Sequence, residues 1–133
     1  KTAWPPTLDI LFQQETGAVL WHCETGKDRT GLGTAFLLSL LGVEDRIIYE
    51  DYLRTNRYLA KDFLYMQRLL QTWPEADENM QRKLQTFYEV KEEYLRIVFE
   101  MIKLKYGSME KFFQEVFYLK PKMVEELRDK YLI

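Results

Sequence analysis

A single cysteine and a single histidine, adjacent at Cys23 and His22, are all that this 133-residue chain has of either. One thiol cannot close an internal disulfide, so a reducing compartment is the natural setting and the cytoplasm the expected location. Apolar runs are short. None reaches the ~18 residues that a bilayer-spanning helix needs, so no transmembrane segment is expected. Net charge is small as well: 19 Lys and Arg against 21 Asp and Glu leave −2, which gives no overall-charge basis for binding nucleic acid. No segment repeats at a fixed period and none is of low complexity. The opening KTAWPPTLDI has neither an initiator Met nor a signal-peptide pattern, and it is expected to continue an earlier stretch of polypeptide. What is present suits one soluble globular domain: 47% hydrophobic and 30% charged residues, with nine Tyr, eight Phe and three Trp to fill a core.

The periodicity predicts helix for most of the length. KTAWPP reads as extended, because each proline disfavours helix at the residue before it. Residues 7–15 form a short helix with Thr7 as N-cap and Leu8, Leu11 and Phe12 on one face. Residues 18–21 are an apolar run between a glycine and a polar loop, which suits a buried strand. Residues 30–41 read as an apolar helix closed by Gly42. Residues 43–71 are helical by period, with a break expected near Thr55 and Asn56. The WPEADEN stretch around Pro74 interrupts the pattern. It resumes from Gln81 to Lys105, with Leu84, Phe87, Tyr88, Tyr94, Leu95, Val98, Met101 and Ile102 on one broad face. Gly107 ends that helix. Ser108 caps the next, which carries Met109, Phe112, Phe113 and Val116. Pro121 opens the last, with Val124, Leu127 and Leu132 inward.

The scarce residues sit at the corner between the strand and the first apolar helix, in VLWHCETGKDRTGLGTAFLL. A strand, a glycine-bearing loop and a helix build an anion site, because loop amides converge on one point and the helix N-terminus adds partial positive charge there. Cys23 at the start of that loop feels this field, so its pKa falls and the thiolate populates near neutral pH. Arg29 stands six residues on, and its planar guanidinium holds two phosphate oxygens at once. Gly26 permits close backbone approach. A nucleophile facing a dianion cradle is the equipment for attack of sulfur on phosphorus, through a phosphocysteine intermediate. The spacing alone arises by chance; the flanking strand, the preceding His, the following Thr and the apolar helix make it specific. A Walker-type phosphate loop is excluded, because GKDRTG lacks the upstream glycine and the Gly-Lys-Ser/Thr order.

HCETGKDRTG resembles the signature of the cysteine-based protein tyrosine phosphatases. Its Gly-Lys-Asp-Arg-Thr variant resembles the bacterial protein tyrosine/serine phosphatase family, whose members can also hydrolyse phosphoinositides, and partly the phosphoinositide 3-phosphatase signature. EDYLRTNRYL and the C-terminal YGSMEKFFQEV and LKPKMVEELRDKYL resemble the same bacterial family, so the likeness runs from about Val19 onward. The resemblance implies that Cys23 is the nucleophile and that Arg29 binds phosphate and stabilises the transition state. Backbone amides of Glu24, Thr25, Gly26, Lys27, Asp28 and Arg29 would line the cradle. Thr30 would hydrogen-bond the thiolate or ease its departure, and His22 would help to set the thiolate pKa. Lys27 and Asp28 distinguish the subfamily, Lys27 reaching polyanionic substrate from the rim and Asp28 assisting as acid. The general acid of the superfamily is usually an aspartate well upstream; only 22 residues precede Cys23 here, so that acid is expected outside this segment.

The implied fold is α/β: a phosphatase-type central sheet flanked by helices, of which this segment supplies helices and the one strand leading into the loop. Residues 1–133 would be the C-terminal part of a single catalytic domain, with upstream strands of the same protein completing the sheet. The expected activity is hydrolysis of phosphotyrosine, with phosphoserine, phosphothreonine and phosphoinositides as further substrates, and the partner is the phosphorylated protein or lipid. No cofactor and no metal are expected. The alternative is a non-catalytic phosphate-binding pseudophosphatase. A redox or arsenate-reducing role would use further cysteines. Blander readings stand beside the roles: Cys23 as a structural thiol, Thr30 as a helix cap, Lys27 as a solvated lysine, and Asp28 as an ion-pair partner. Asp51 and Asn56 either brace the loop from behind or lie on a plain helix surface.

Overall fold

The computed structural model describes residues 6–132. Seven helices follow one another among them: α1 (Pro6–Gln13), α2 (Asp28–Leu40), α3 (Asp45–Gln71), α4 (Glu78–Tyr88), α5 (Glu92–Tyr106), α6 (Met109–Phe117) and α7 (Pro121–Tyr131). No strand occurs among the described residues, which overturns the expected α/β sheet and the expected strand at residues 18–21. The cause is the ladder. A strand needs a neighbour to satisfy its N–H and C=O groups, and no backbone group of residues 18–23 bonds another backbone group among the described residues. Leu20, expected to be buried, is 88% exposed.

Helix boundaries follow local chemistry, with instructive exceptions. The extended stretch expected at the N-terminus falls on residues 1–5, outside those described. Helix α1 opens at Pro6, one residue before the expected cap at Thr7, because proline is pre-organised for the first helical position. Helix α2 starts inside the polar loop, at Asp28, two residues before the expected start at Thr30. The expected break near Thr55 and Asn56 is absent: α3 runs unbroken for 27 residues. Conversely, the helix expected from Gln81 to Lys105 is two helices, parted at Glu89, Val90 and Lys91, where the backbone is extended. One amide links the two corrections. Asn56 Nδ2 donates to the Val90 carbonyl at 2.9 Å, and Val90 N–H donates to Asn56 Oδ1 at 2.8 Å. Asn56 therefore turns sideways to hold the α4–α5 linker instead of breaking its own helix. Ser108 caps α6 through Lys111 N–H at 3.1 Å, and Pro121 opens α7, as the pattern predicts.

Two apolar clusters meet at Phe36 of α2. One gathers Leu11, Leu40, Ile102, Phe112, Phe113, Leu119 and Leu127; the other gathers Ala35, Ile48, Tyr52, Val90, Leu95 and Phe99. The Phe36 ring stacks on Phe99 with centroids 6.5 Å apart and meets Phe113 edge-on at 6.0 Å. The broad face predicted for residues 84–102 is narrower than expected. Leu95, Phe99 and Ile102 are buried, whereas Phe87 and Met101 lie exposed. The last helix fastens the first two. Arg128 Nε donates to the Leu40 carbonyl at 3.0 Å, and Tyr131 OH donates to the Leu11 carbonyl at 2.9 Å. Lys130 Nζ reaches the carbonyls of both Leu11 and Phe12 at 3.0 Å. Val124 and Leu127 face inward, but Leu132 remains exposed.

Candidate active site

The loop from Cys23 to Lys27 bends directly into the first turn of α2. Gly26 takes a φ of 71°, a left-handed conformation that costs other residues strain, and it is this turn that sends the chain round into the helix. The Gly31 N–H to Lys27 carbonyl bond, 3.1 Å, closes the first helical turn. Asp28 and Arg29 thus lie where free amides point out of the helix end.

The Cys23 thiol is partly exposed and its pKa is lowered to about 6. The Thr30 hydroxyl is the largest cause, followed by the Thr30 amide; the amides of Gly26 and Thr25 add smaller contributions, against a partial desolvation that acts the other way. Thr30 Oγ1 is buried and makes no hydrogen bond among the described residues, so its proton is free to turn to the sulfur. The Arg29 side chain is exposed and makes no hydrogen bond or ion pair with the described residues. Cys23, Arg29 and Thr30 border a hollow of about 230 Å³ whose other walls include Leu8, Trp21 and Phe36. The hollow is walled mainly by apolar side chains, Leu11, Leu40 and Phe113 among them, and Thr25 and Gly26, whose amides help to lower the thiol pKa, do not line it. A lowered thiol, those amides and the Arg29 guanidinium are the parts an anion cradle needs.

The tyrosine phosphatase family matches residues 3–133. The chain belongs to that family. Two relatives extend the match. A tyrosine-protein phosphatase of Nostoc commune is 48% identical over 58 residues, covering 41% of this chain and 20% of the relative. The triple specificity protein phosphatase PtpB of Mycobacterium tuberculosis is 31% identical over 100 residues, covering 68% of this chain and 36% of the relative. The matched segments thus span about a fifth and about a third of the length of these phosphatases.

Within this family member the remaining candidates are placed as follows. His22 is exposed, and its Nδ1 donates to the carbonyl of Cys23 at 3.0 Å; it is not among the principal groups that lower the thiol pKa. Glu24 is exposed and Thr25 half-buried. Lys27 is the surprise. Only 6% of it is exposed, and its ammonium donates to Asp28 Oδ1 at 3.1 Å and to the Glu89 carbonyl at 3.3 Å. Asp28 is largely exposed. The Asp51 side chain makes no hydrogen bond with the described residues, whereas Asn56 holds Val90.

Sequence reasoning missed Thr34 and Trp21. Trp21 Nε1 donates to Thr34 Oγ1 at 3.3 Å, and Thr34 Oγ1 donates to the Thr30 carbonyl at 2.9 Å, which ties the chain before Cys23 to the first turn of α2. The signal was available: Thr34 lies four residues after Thr30, on the same helix face. No group of three His, Cys, Asp or Glu side chains among the described residues is placed to hold a metal ion. Among those residues no helix is long and apolar enough to cross a membrane.

Proposed function

We propose that this chain carries the catalytic loop of a phosphomonoester hydrolase that uses Cys23 as nucleophile. The observation that carries the reading is the thiol lowered to about 6 beside an Arg29 side chain that has no hydrogen-bond or ion-pair partner among the described residues. In the first step the Cys23 thiolate attacks phosphorus, an S–P bond forms, the ester P–O bond breaks, and the leaving oxygen takes a proton from an acid. In the second step water attacks the phosphocysteine, releasing inorganic phosphate and the thiolate. Loop amides and Arg29 stabilise the charge on the equatorial oxygens, and Thr30 donates to the sulfur as it leaves. Phosphotyrosine is the first substrate class. Breadth toward phosphoserine, phosphothreonine and phosphoinositides accords with the name triple specificity carried by the Mycobacterium relative. Residues 1–133 are, in this reading, one part of a larger catalytic domain that supplies the acid, in keeping with the greater length of both relatives. A nucleophilic thiolate works only while reduced, which suits a cytoplasmic setting.

The test is turnover of an aryl phosphate by the full-length protein in the presence of a chelator. Activity is expected to persist, and Cys23→Ser is expected to abolish it while phosphate still binds. Turnover by Cys23→Ser at the original rate sinks the mechanism; binding without any turnover by the original protein supports a phosphate-binding module instead.

A further inference from the structure

Lys27 was expected at the solvent rim of the loop, yet its ammonium is turned back into the protein. Its acceptor, the Glu89 carbonyl, belongs to the linker between α4 and α5. The next residue, Val90, is 1% exposed and is gripped through both its N–H and its C=O by the Asn56 amide. Asn56 lies one helical turn beyond Tyr52 on α3, and the Tyr52 ring packs against Gly31 so closely that a Cβ there would come within 2.8 Å of it. The contacts close a ring: phosphate loop to linker through Lys27, linker to α3 through Asn56, and α3 back to the loop helix through Tyr52 and Gly31.

We infer that Lys27 and Asn56 are positioning residues that hold the phosphate loop at the correct height over α2 by way of the linker at Glu89 and Val90. The inference rests on the phosphatase reading for its purpose, though not for its geometry. An ammonium pointing at a main-chain carbonyl from a buried site is fixed in direction. Loosening it frees the Gly26 and Thr25 amides, two of the groups that stabilise the thiolate. Asn56 makes no hydrogen bond to the loop, and its replacement removes no charge, so a changed thiol in an Asn56 variant reports displacement rather than lost electrostatics.

The experiment measures alkylation of Cys23 by iodoacetamide in the full-length protein across pH, read by mass spectrometry of the peptide that contains it. The arms are the original sequence, Lys27→Met, Asn56→Ala and the double variant. At pH 5 each single variant is expected to slow alkylation about threefold through a smaller thiolate fraction, and the double variant to be no slower than the slower single, because both cut the same chain of contacts. Protection by inorganic phosphate should weaken in step. If Lys27 instead meets substrate at the rim, Lys27→Met raises KM for polyphosphorylated esters while Asn56→Ala alkylates as the original does; that result overturns the proposal, as do independent, multiplying effects. Asn56→Leu, which fills a similar space without the amide's donor and acceptor, replaces Asn56→Ala if the latter does not fold, and a wild-type profile for it counts equally against. A protein that hydrolyses no phosphoester but shows the coupled alkylation shifts would defeat the phosphatase reading and leave the positioning role standing.

Discussion

The two sides of Cys23 are built differently. On the trailing side, residues 27–31 are fixed by a buried lysine, the first turn of α2 and the close contact of Gly31 with Tyr52. On the leading side, residues 18–22 make no backbone–backbone hydrogen bond among the described residues; Trp21 is anchored through its indole, and Leu20 lies in the open. The sulfur is therefore positioned from the helix, and its chemistry comes from the same direction: Thr30, the largest cause of its lowered pKa, is in the helix's first turn.

The strongest way to break this asymmetry is at Arg29. Arg29→Lys keeps a charge but loses the planar fork, and kcat on an aryl phosphate is expected to fall by about 10²–10³ as for loss of an oxyanion donor. A loss below tenfold would move the charge work elsewhere. Gly31→Ala comes next. The added methyl meets the buried Tyr52 ring at 2.8–2.9 Å, and overpacking of this kind costs about 1–3 kcal/mol, measurable by thermal unfolding. Thr30→Val probes the electrostatics. The thiolate is lost as pH falls through about 6. Removing the hydroxyl raises that midpoint toward the ordinary thiol value, so the acid limb of the alkylation profile moves to higher pH. An unmoved limb would assign the lowered pKa to the amides alone. The smallest effect belongs to the leading side. Leu20→Ser is expected to change stability by less than about 0.5 kcal/mol, as at exposed sites. A loss of about 2 kcal/mol or more would show that Leu20 is covered by something other than the described residues.

What was legible in the sequence follows the same division. Local chemistry showed itself in residue type and spacing: the Ser108 cap and the proline that opens α7. Tertiary chemistry did not. Asn56 reads locally as a helix breaker, because its side chain competes for nearby backbone groups; here it satisfies the backbone of a linker 34 residues on. The predicted face jumps from Tyr88 to Tyr94 without Val90, but the helical pattern on either side carried the expected helix across the gap between α4 and α5. Lys27 next to Asp28 looks like a solvated pair, and only the Glu89 carbonyl explains its burial. The strand at residues 18–21 failed for the complementary reason: its pattern was apolar, but a strand is defined by partners that these residues do not provide.

The grip of α7 on α1 and α2 bears on the order in which the molecule can be assembled. The carbonyls of Leu11 and Leu40 receive their donors from Tyr131, Lys130 and Arg128. A ribosome adds about 5–20 residues per second, so the helix that bears Arg29 emerges seconds before the residues that lock its far end. Until they arrive, that end has unsatisfied carbonyls. The segment that holds Cys23 and Arg29 is thus made early and fastened late, and a chain cut short before Arg128 keeps both residues but leaves the helix behind them unsecured.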